Sequence, residues 1–368
     1  MDLPELFSWP SLAFAGFVTV VLVLDLFVFH RESREQSLRE AAAWTLVWCS
    51  LALIFNGLIW YLYGMKPAVE FFTGYLVEWT LSMDNVFVFA VIFRFFHVPK
   101  KYQYRVLFWG ILGAVLMRLT FIALGVQLLE WFKWMTLLFA GILIFTAIKL
   151  AFSGEVDPDP ERNLVLRIAR RMFPVAREDH GEAFFAREAG RACITPLFLV
   201  LLVIESTDVV FAVDSVPAIF GITREPFLIF TSNIFAILGL RALYFLLAGV
   251  MDMFRYLHYG LAAVLGFVGL KMTLEYFVDT SDDFRAWFDA NLWGLHDGHA
   301  VPPLASLAVI AALLGTSIIA SLLANRFLGP HWKHAPQDVG PRNGAPPAEG
   351  DEGNELEDLT TENANAKS

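Results

Sequence analysis

Residues 78–86 read EWTLSMDNV and residues 208–216 read DVVFAVDSV, so each stretch places two acids six positions apart inside a long apolar run. In both stretches the second acid is followed by a small polar residue and then a valine. An ionised acid deep in a bilayer costs about 2.5 to 3.5 kcal/mol on insertion scales. A chain that repeats this cost in one spacing is expected to use these carboxylates.

The composition of the 368-residue chain is that of a membrane protein. It is 57% hydrophobic and only 17% charged, against about 25% charged residues in an ordinary soluble domain. Its apolar runs of about 20 residues are long enough to cross a hydrocarbon layer of ~30 Å as helices. No phosphate-binding loop, nucleophile elbow or HExxH motif is present. We therefore expect no enzymatic activity, no prosthetic cofactor and no nucleic-acid partner, and packing roles for Cys49 and Cys193.

Nine apolar runs predict an all-α fold with nine transmembrane helices. The runs are about 8–29, 41–63, 68–96, 105–128, 131–152, 193–220, 226–250, 254–277 and 303–327. Lys and Arg concentrate in the odd-numbered connections, so the N-terminus is predicted outside and the C-terminus in the cytoplasm. We expect residues 1–330 to form the transmembrane domain. The acidic tail 331–368, rich in Pro, Gly and Asn, is predicted to be disordered.

The longest predicted cytoplasmic loop, residues 153–192, contains the basic and apolar segment LVLRIARRMF at 164–173. This segment can form a short amphipathic helix that lies on anionic lipid. The alternative is a solvated regulatory loop, and the sequence alone does not decide between the two.

The acid pairs belong to a longer internal repeat. Arg118 and Lys149 follow the first pair at a separation of 31 residues, and Arg241 and Lys271 follow the second at a separation of 30. The two units, about 68–152 and 193–277, run in opposite directions through the membrane in the predicted topology. Inverted repeats of this kind are typical of transporters whose binding site lies near the bilayer midplane. The alternative is a pair of duplicated bundles whose charges only pair with one another.

The candidate metal ligands are all oxygen donors within the membrane: Glu78, Asp84, Asn85, Glu205, Asp208, Asp214 and Ser215. Because no His or Cys lies among them, such a set suits Mn²⁺, Mg²⁺ or Ca²⁺ better than Cu⁺ or Zn²⁺. An oxyanion would be repelled by so many carboxylates.

The spacing within each pair raises a question of geometry. On a straight helix, two acids six residues apart point in directions about 120° apart and are separated by ~9 Å along the helix axis. Either the helices break between the acids, or the acids face two parts of a path. Pro217 favours a break in the second stretch, because proline removes a helical hydrogen bond.

Four cations are predicted to balance these charges. Arg118 and Arg241 lie in mid-span and should pair with carboxylates, from which an arriving divalent cation would displace them. Lys149 and Lys271 lie nearer the ends of their spans, where each could pair or extend to the membrane interface.

The residues around both acid pairs resemble those of the TerC/Alx family of integral membrane proteins. The matching stretches are 78–85 EWTLSMDN, 95–99 FFHVP, 102–110 YQYRVLFWG, 195–198 TPLF and 205–218 ESTDVVFAVDSVPA. The resemblance covers about residues 10 to 328, with Ser206 and Val216 as small departures from the second motif.

The resemblance implies a multi-pass protein of the bacterial inner membrane, in a family named for tellurium resistance. It also implies export of Mn²⁺, with the family's membrane acids at Glu78, Asp84, Glu205, Asp208 and Asp214. The competing expectation is a non-transporting stress or assembly factor whose charge network holds the helices together. In that case a tellurium phenotype would be indirect, through metal balance or membrane stress.

Overall fold

The computed structural model describes most of the membrane domain. The described residues are 13–14, 16–18, 20, 37–153, 163–176, 180–188, 190–247, 256–291 and 300–328. The predicted first span at 8–29 lies largely outside these ranges, although Phe14 and Val18 are described and are buried. The predicted tail, 331–368, lies outside them altogether.

Ten helices and one short hairpin make up the described residues. They are α1 Leu38–Tyr63, α2 Met65–Phe95, α3 Lys100–Trp131, α4 Met135–Ser153, α5 Leu164–Met172, β1 Phe185–Glu188, β2 Arg191–Ile194, α6 Pro196–Phe220, α7 Pro226–Leu247, α8 Leu257–Thr280, α9 Asp282–Asn291 and α10 Pro303–Leu328. Eight of the helices, all except α5 and α9, are long and apolar enough to cross a membrane. The chain is therefore an all-α, multi-pass membrane protein, as the apolar runs predict.

Local sequence signals set the ends of the central helices. Thr195 caps α6 by accepting a hydrogen bond from the backbone N–H of Phe198 at 3.3 Å. Pro196 then occupies the first turn, where its missing N–H is not needed. Gly64 separates α1 from α2 with a φ of 93°, a left-handed conformation that a residue with a side chain rarely adopts.

The predicted break in the second acid stretch is wrong. Helix α6 continues through Pro217 to Phe220 without interruption. Pro217 lies in the last turn, so the hydrogen bond that it removes leaves most of the helix intact. The two acids of each pair therefore face different neighbours, which was the other expectation from their spacing.

The six helices that carry the acid pairs pack in a reciprocal pattern. The most extensive pairings are α4 with α8, α2 with α7 and α3 with α6. In the predicted repeat, α2 corresponds to α6, α3 to α7 and α4 to α8. The pairing of α2 with α7 then corresponds to the pairing of α6 with α3, and the pairing of α4 with α8 corresponds to itself. Two halves related by a two-fold axis would pack in this way, which is consistent with the predicted repeat.

Glycine allows a close approach between α4 and α8. A side chain at Gly269 of α8 would come within 3.0 Å of the carbonyl of Ala140 on α4. Small residues at such crossings let backbones approach closely, which is how helices associate in lipid.

The loop between α4 and α6 has structure that hydropathy does not reveal. Helix α5 occupies the segment predicted to be a short amphipathic helix, and its Leu166 and Ala169 are buried among residues of α2 and α6. The hairpin that follows pairs β1 with β2 antiparallel, with Phe185 opposite Ile194. Strands of four residues are too short to stand out in the sequence, and their presence qualifies the all-α description only here.

Candidate functional site

The centre of the bundle holds a buried ionic cluster contributed by both predicted repeats. Arg118 of α3 donates a hydrogen bond to Glu78 of α2 and forms an ion pair with it. The same Nη1 atom lies 2.7 Å from the side-chain oxygen of Asn233 on α7. Arg118 also interacts electrostatically with Asp208 of α6. Four helices thus meet at one guanidinium, which is only 1% exposed.

A third carboxylate, that of Glu205, extends this cluster along α6. Glu205 interacts electrostatically with Asp208, which lies one helical turn away on the same face. Its carboxylate rests against the backbone of α3 at Gly113, where an added Cβ would overlap the carboxylate atoms. Gly113 therefore provides the space that Glu205 occupies.

The central cluster, defined as Glu78, Arg118, Glu205, Asp208 and Asn233, contains more carboxyl groups than cationic groups. Its three carboxylates and one guanidinium give a formal charge of −2 when all are ionised. Asp208 is 3% exposed, and its Oδ2 is buried with no hydrogen-bond partner among the described residues. Buried carboxylate oxygens without a partner are expensive. A cation that binds there would relieve this cost.

Asp214, six residues beyond Asp208, belongs to a different environment. Its Oδ1 accepts a hydrogen bond from Thr146 of α4 at 2.8 Å. The ammonium group of Lys149, one turn further along α4, interacts with it electrostatically. Lys149 is itself exposed, so it interacts with a carboxylate and also reaches the surface of the protein.

The remaining predicted ligands do not join either group. No described residue donates a hydrogen bond to Asp84, which is partly buried. Asn85 is buried, and the hydroxyl of Ser215 is buried with no partner among the described residues. Nowhere in the described ranges do three or more Asp, Glu, His or Cys side chains stand close enough together to hold a metal ion. The seven predicted ligands are thus divided among several places in this conformation.

The other two predicted balancing cations have partners of their own. Arg241 of α7 donates to the hydroxyl of Tyr104 at 3.0 Å and lies over the ring of that tyrosine. Lys271 of α8 lies 3.7 Å from the carboxylate of Glu275, one turn further along the same helix. Lys271 is only 4% exposed, so extension to the interface does not describe it.

Two features of the structure were not expected from the sequence. Asn233 is one: it is a single amide in an apolar helix, and only that contrast could have pointed to it. The other is a cavity of about 470 Å³ at the junction of α2, α6 and α8. Its charged lining residues are Lys66, Glu70, Arg224, Glu225, Glu275 and Asp279. The positive-inside pattern predicts that this end of the bundle faces outward.

Comparison with known proteins supports the resemblance seen in the motifs. The model of the integral membrane protein TerC family matches residues 63–327. This range contains every residue of the central cluster, and it begins at the end of the second predicted span.

Similar proteins cover most of the chain. An uncharacterized membrane protein of Myxococcus xanthus, STKORF319, is 46% identical over 85% of this chain and 92% of that protein. Candidate membrane-bound redox modulators named Alx are 39% identical in Photorhabdus laumondii, over 87% of this chain and 95% of that protein, and 43% identical in Escherichia coli K12, over 71% and 84%. No solved structure matches the chain.

Proposed function

This chain belongs to the TerC family of integral membrane proteins, and we propose that it exports a hard divalent cation, Mn²⁺ in preference, across a bacterial plasma membrane. The observation that carries the proposal is the central cluster. Two carboxyl groups interact with Arg118 at the centre of the bundle, and a third lies one helical turn away; the cluster has a formal charge of −2 when all three are ionised, which a divalent cation would balance. A structural network would be expected to balance its charges instead, because surplus buried charge opposes folding.

Ligand chemistry favours the harder cations. The cluster offers carboxylate oxygens and the amide oxygen of Asn233, and no sulfur or imidazole among its described members. Oxygen-only sites suit Mn²⁺, Mg²⁺ and Ca²⁺, whereas Zn²⁺ and Cu⁺ are held better by sulfur and nitrogen. Among the hard cations, Mn²⁺ forms stronger complexes with mixed oxygen donors than Mg²⁺ does.

Arg118 gives the proposed cycle its exchange step. A divalent cation that enters the cluster has to displace the guanidinium from Glu78, because the two compete for the same carboxylate oxygen. Displacement frees Glu78 to join Asp208 and Glu205 around the ion. The return of Arg118, or of protons, would then expel the ion on the other side.

The positions of Asp214 and of the 470 Å³ cavity support a path with more than one binding position for the ion. Asp214 lies about 9 Å along α6 beyond Asp208, and α6 ends at the cavity lined by Glu70, Glu225 and Glu275. Acidic side chains beyond the central cluster would attract a cation as it leaves. Direct passage of an oxyanion is disfavoured by the same charges.

The second candidate function is a stress or assembly factor that does not transport. It is favoured by the description of the Alx relatives as candidate redox modulators. Cys49 and Cys193, the two cysteines of the chain, are both free thiols. A tellurium effect of such a protein would be indirect, through metal balance or membrane stress.

Flux measurement separates the two. Purified protein in liposomes with an internal Mn²⁺ indicator should show Mn²⁺ entry that depends on the protein, and Asp208→Asn should abolish it. Asp282→Asn, which makes the same change at an exposed position of α9, should leave the flux unchanged. Absence of flux from the unaltered protein under an imposed pH gradient in either direction, with normal insertion, would support the second function.

A further inference from the structure

Helix α5 has three faces, and only one of them is covered by the protein. Leu166 and Ala169 pack into the cluster of buried residues from α2 and α6. The polar face carries Arg167, Arg170 and Arg171, all exposed. An apolar stripe remains at the spacing i, i+4, i+8, formed by Leu164, Ile168 and Met172.

The stripe is exposed to an extent that is unusual outside a membrane environment. Leu164 is 64% exposed and Met172 is 68% exposed. Phe173, which directly follows α5, and Phe185 on β1 are exposed as well and add to the apolar character of the loop. Large apolar side chains grouped on one face of a helix mark a surface that contacts a membrane or another partner.

Contacts at both ends of α5 hold it beside the N-terminal half of α6 and beside strand β2. Asn163 caps α5 by accepting hydrogen bonds from the N–H groups of Val165 and Leu166, and its Nδ2 donates to Ser206 of α6 at 2.8 Å. Beyond the other end, the N–H of Ala176 donates to the carbonyl of Ile194. This end of the bundle carries the positive connections, and is therefore predicted to face the cytoplasm.

We infer that α5 is a lipid anchor, whose apolar stripe lies among acyl chains while Arg167, Arg170 and Arg171 bind the phosphates of anionic lipids. Two observations favour lipid over a protein partner. The helix has no acidic residue of its own to balance its three arginines, and it packs on α6, which is long and apolar enough to cross a membrane. The cytoplasmic leaflet supplies the negative headgroups and the apolar layer together.

A fluorescent probe at the stripe tests the inference without reference to transport. Met172→Cys, in a background of Cys49→Ala and Cys193→Ala, is labelled with an environment-sensitive dye and placed in nanodiscs that contain acyl-chain nitroxide lipids. Quenching should be strong in discs with about 30 mol% phosphatidylglycerol and weaker in pure phosphatidylcholine, since each arginine near an anionic surface contributes about 1 kcal/mol. Added salt should reduce the difference between the two kinds of disc.

Matched variants separate the charges of α5 from the charge of the loop. Arg170→Gln with Arg171→Gln should reduce the preference for phosphatidylglycerol by up to about thirtyfold in relative affinity, at about 1 kcal/mol for each arginine, and Arg167 should retain the remainder. Arg187→Gln with Arg191→Gln removes the same charge from exposed positions of the hairpin and should retain most of the preference. Leu164→Ser with Ile168→Ser should lower quenching in both lipids.

Three results would overturn the inference. The first is quenching that does not depend on phosphatidylglycerol, and the second is an equal effect of the two arginine pairs. The third is quenching that appears only after the acidic tail is removed by truncation before His331, which would identify the tail as the occupant of this face. Retention of each variant on size exclusion verifies that it is folded.

Discussion

The single most consequential residue in the bundle is Arg118, because two buried carboxyl groups, those of Glu78 and Asp208, interact with it. Removing one partner of a buried ion pair leaves an uncompensated charge and costs about 3 to 5 kcal/mol. We expect Arg118→Met to lower the free energy of unfolding by that amount, measured as thermal or denaturant unfolding of purified protein in detergent.

A double substitution shows whether the loss comes from stranded charge. Glu78→Gln combined with Arg118→Met should be more stable than Arg118→Met alone, although Asp208 still lacks its cation. Arg326→Met, which makes the same change at an exposed position of α10, should change stability little. If the double variant were no more stable than the single one, the ion pair would not explain the loss.

A second residue-scale prediction concerns Gly113. In Gly113→Ala the new methyl group occupies the place of the Glu205 carboxylate, so Glu205 has to move away from Asp208. Mn²⁺ transport should fall, with an apparent affinity about tenfold weaker, equivalent to 1.4 kcal/mol. The measurement is the concentration dependence of Mn²⁺ flux in liposomes.

The chain offers both a control and a rescue for this change. Gly315→Ala adds the same methyl group to a helix where nothing lies within 4 Å, and flux should be unaffected. Glu205→Asp shortens the side chain by one methylene, so Gly113→Ala with Glu205→Asp should transport better than Gly113→Ala alone. Normal flux through Gly113→Ala would contradict the prediction that the position of the Glu205 carboxylate limits Mn²⁺ affinity.

At this scale the sequence identifies most of the site but not its grouping. Glu78, Arg118, Glu205 and Asp208 are all evident as charges in apolar runs. Their spacing on each helix gives the angle between the side chains but not the helix that each one faces, so it does not show that Asp214 faces α4. Gly113 carries no signal at all, because its importance comes from a neighbour 92 residues away along the chain.

Among the elements, α5 is stabilised from outside its own sequence. A nine-residue helix is marginal in isolation, so its N-cap and its bond to α6 should matter. Asn163→Ala removes both and should raise amide hydrogen exchange in residues 164–172 by about fivefold, corresponding to ~1 kcal/mol for a lost cap.

Two conservative changes divide this effect between its causes. Asn163→Asp keeps an oxygen that caps the helix and loses only the donor to Ser206, and Ser206→Ala loses the same bond from the other side. Both variants should exchange more slowly than Asn163→Ala and at a rate similar to each other. Equal exchange in all three would assign the whole effect to the contact between α5 and α6.

The sequence predicts the helices that are long and apolar enough to cross the membrane better than it predicts the other elements. Eight of the nine spans are confirmed within a few residues, because a run of apolar side chains and the thickness of the bilayer fix both type and length. The hairpin of β1 and β2 and the amphipathic helix α9 lack that constraint and were missed. The expected break at Pro217 failed because a proline near the end of a helix disturbs few of its hydrogen bonds.

For the molecule as a whole, the arrangement in the membrane is the property most open to test. The positive-inside pattern predicts that Lys133, between α3 and α4, faces outward and that Lys100, the first residue of α3, faces the cytoplasm. Both side chains are exposed. In a background without Cys49 and Cys193, Lys133→Cys should react with an impermeant maleimide on intact spheroplasts.

Lys100→Cys should react only after the membrane is permeabilised. The reverse pattern would invert the topology and exchange the two sides of the proposed path. Equal labelling of both positions would indicate two orientations in the membrane, which inverted-repeat proteins with weak charge bias can adopt.

The surplus negative charge of the central cluster bears on bioenergetics. Moving a divalent ion outward against a potential of 100 mV, negative inside, requires about 4.6 kcal/mol, twice the ~2.3 kcal/mol for one charge. If two protons replace each ion on the carboxylates, the net charge of the loaded protein is the same in both directions. Turnover would then respond to acidity and be indifferent to voltage, so an ionophore that collapses the electrical gradient alone should leave the rate unchanged.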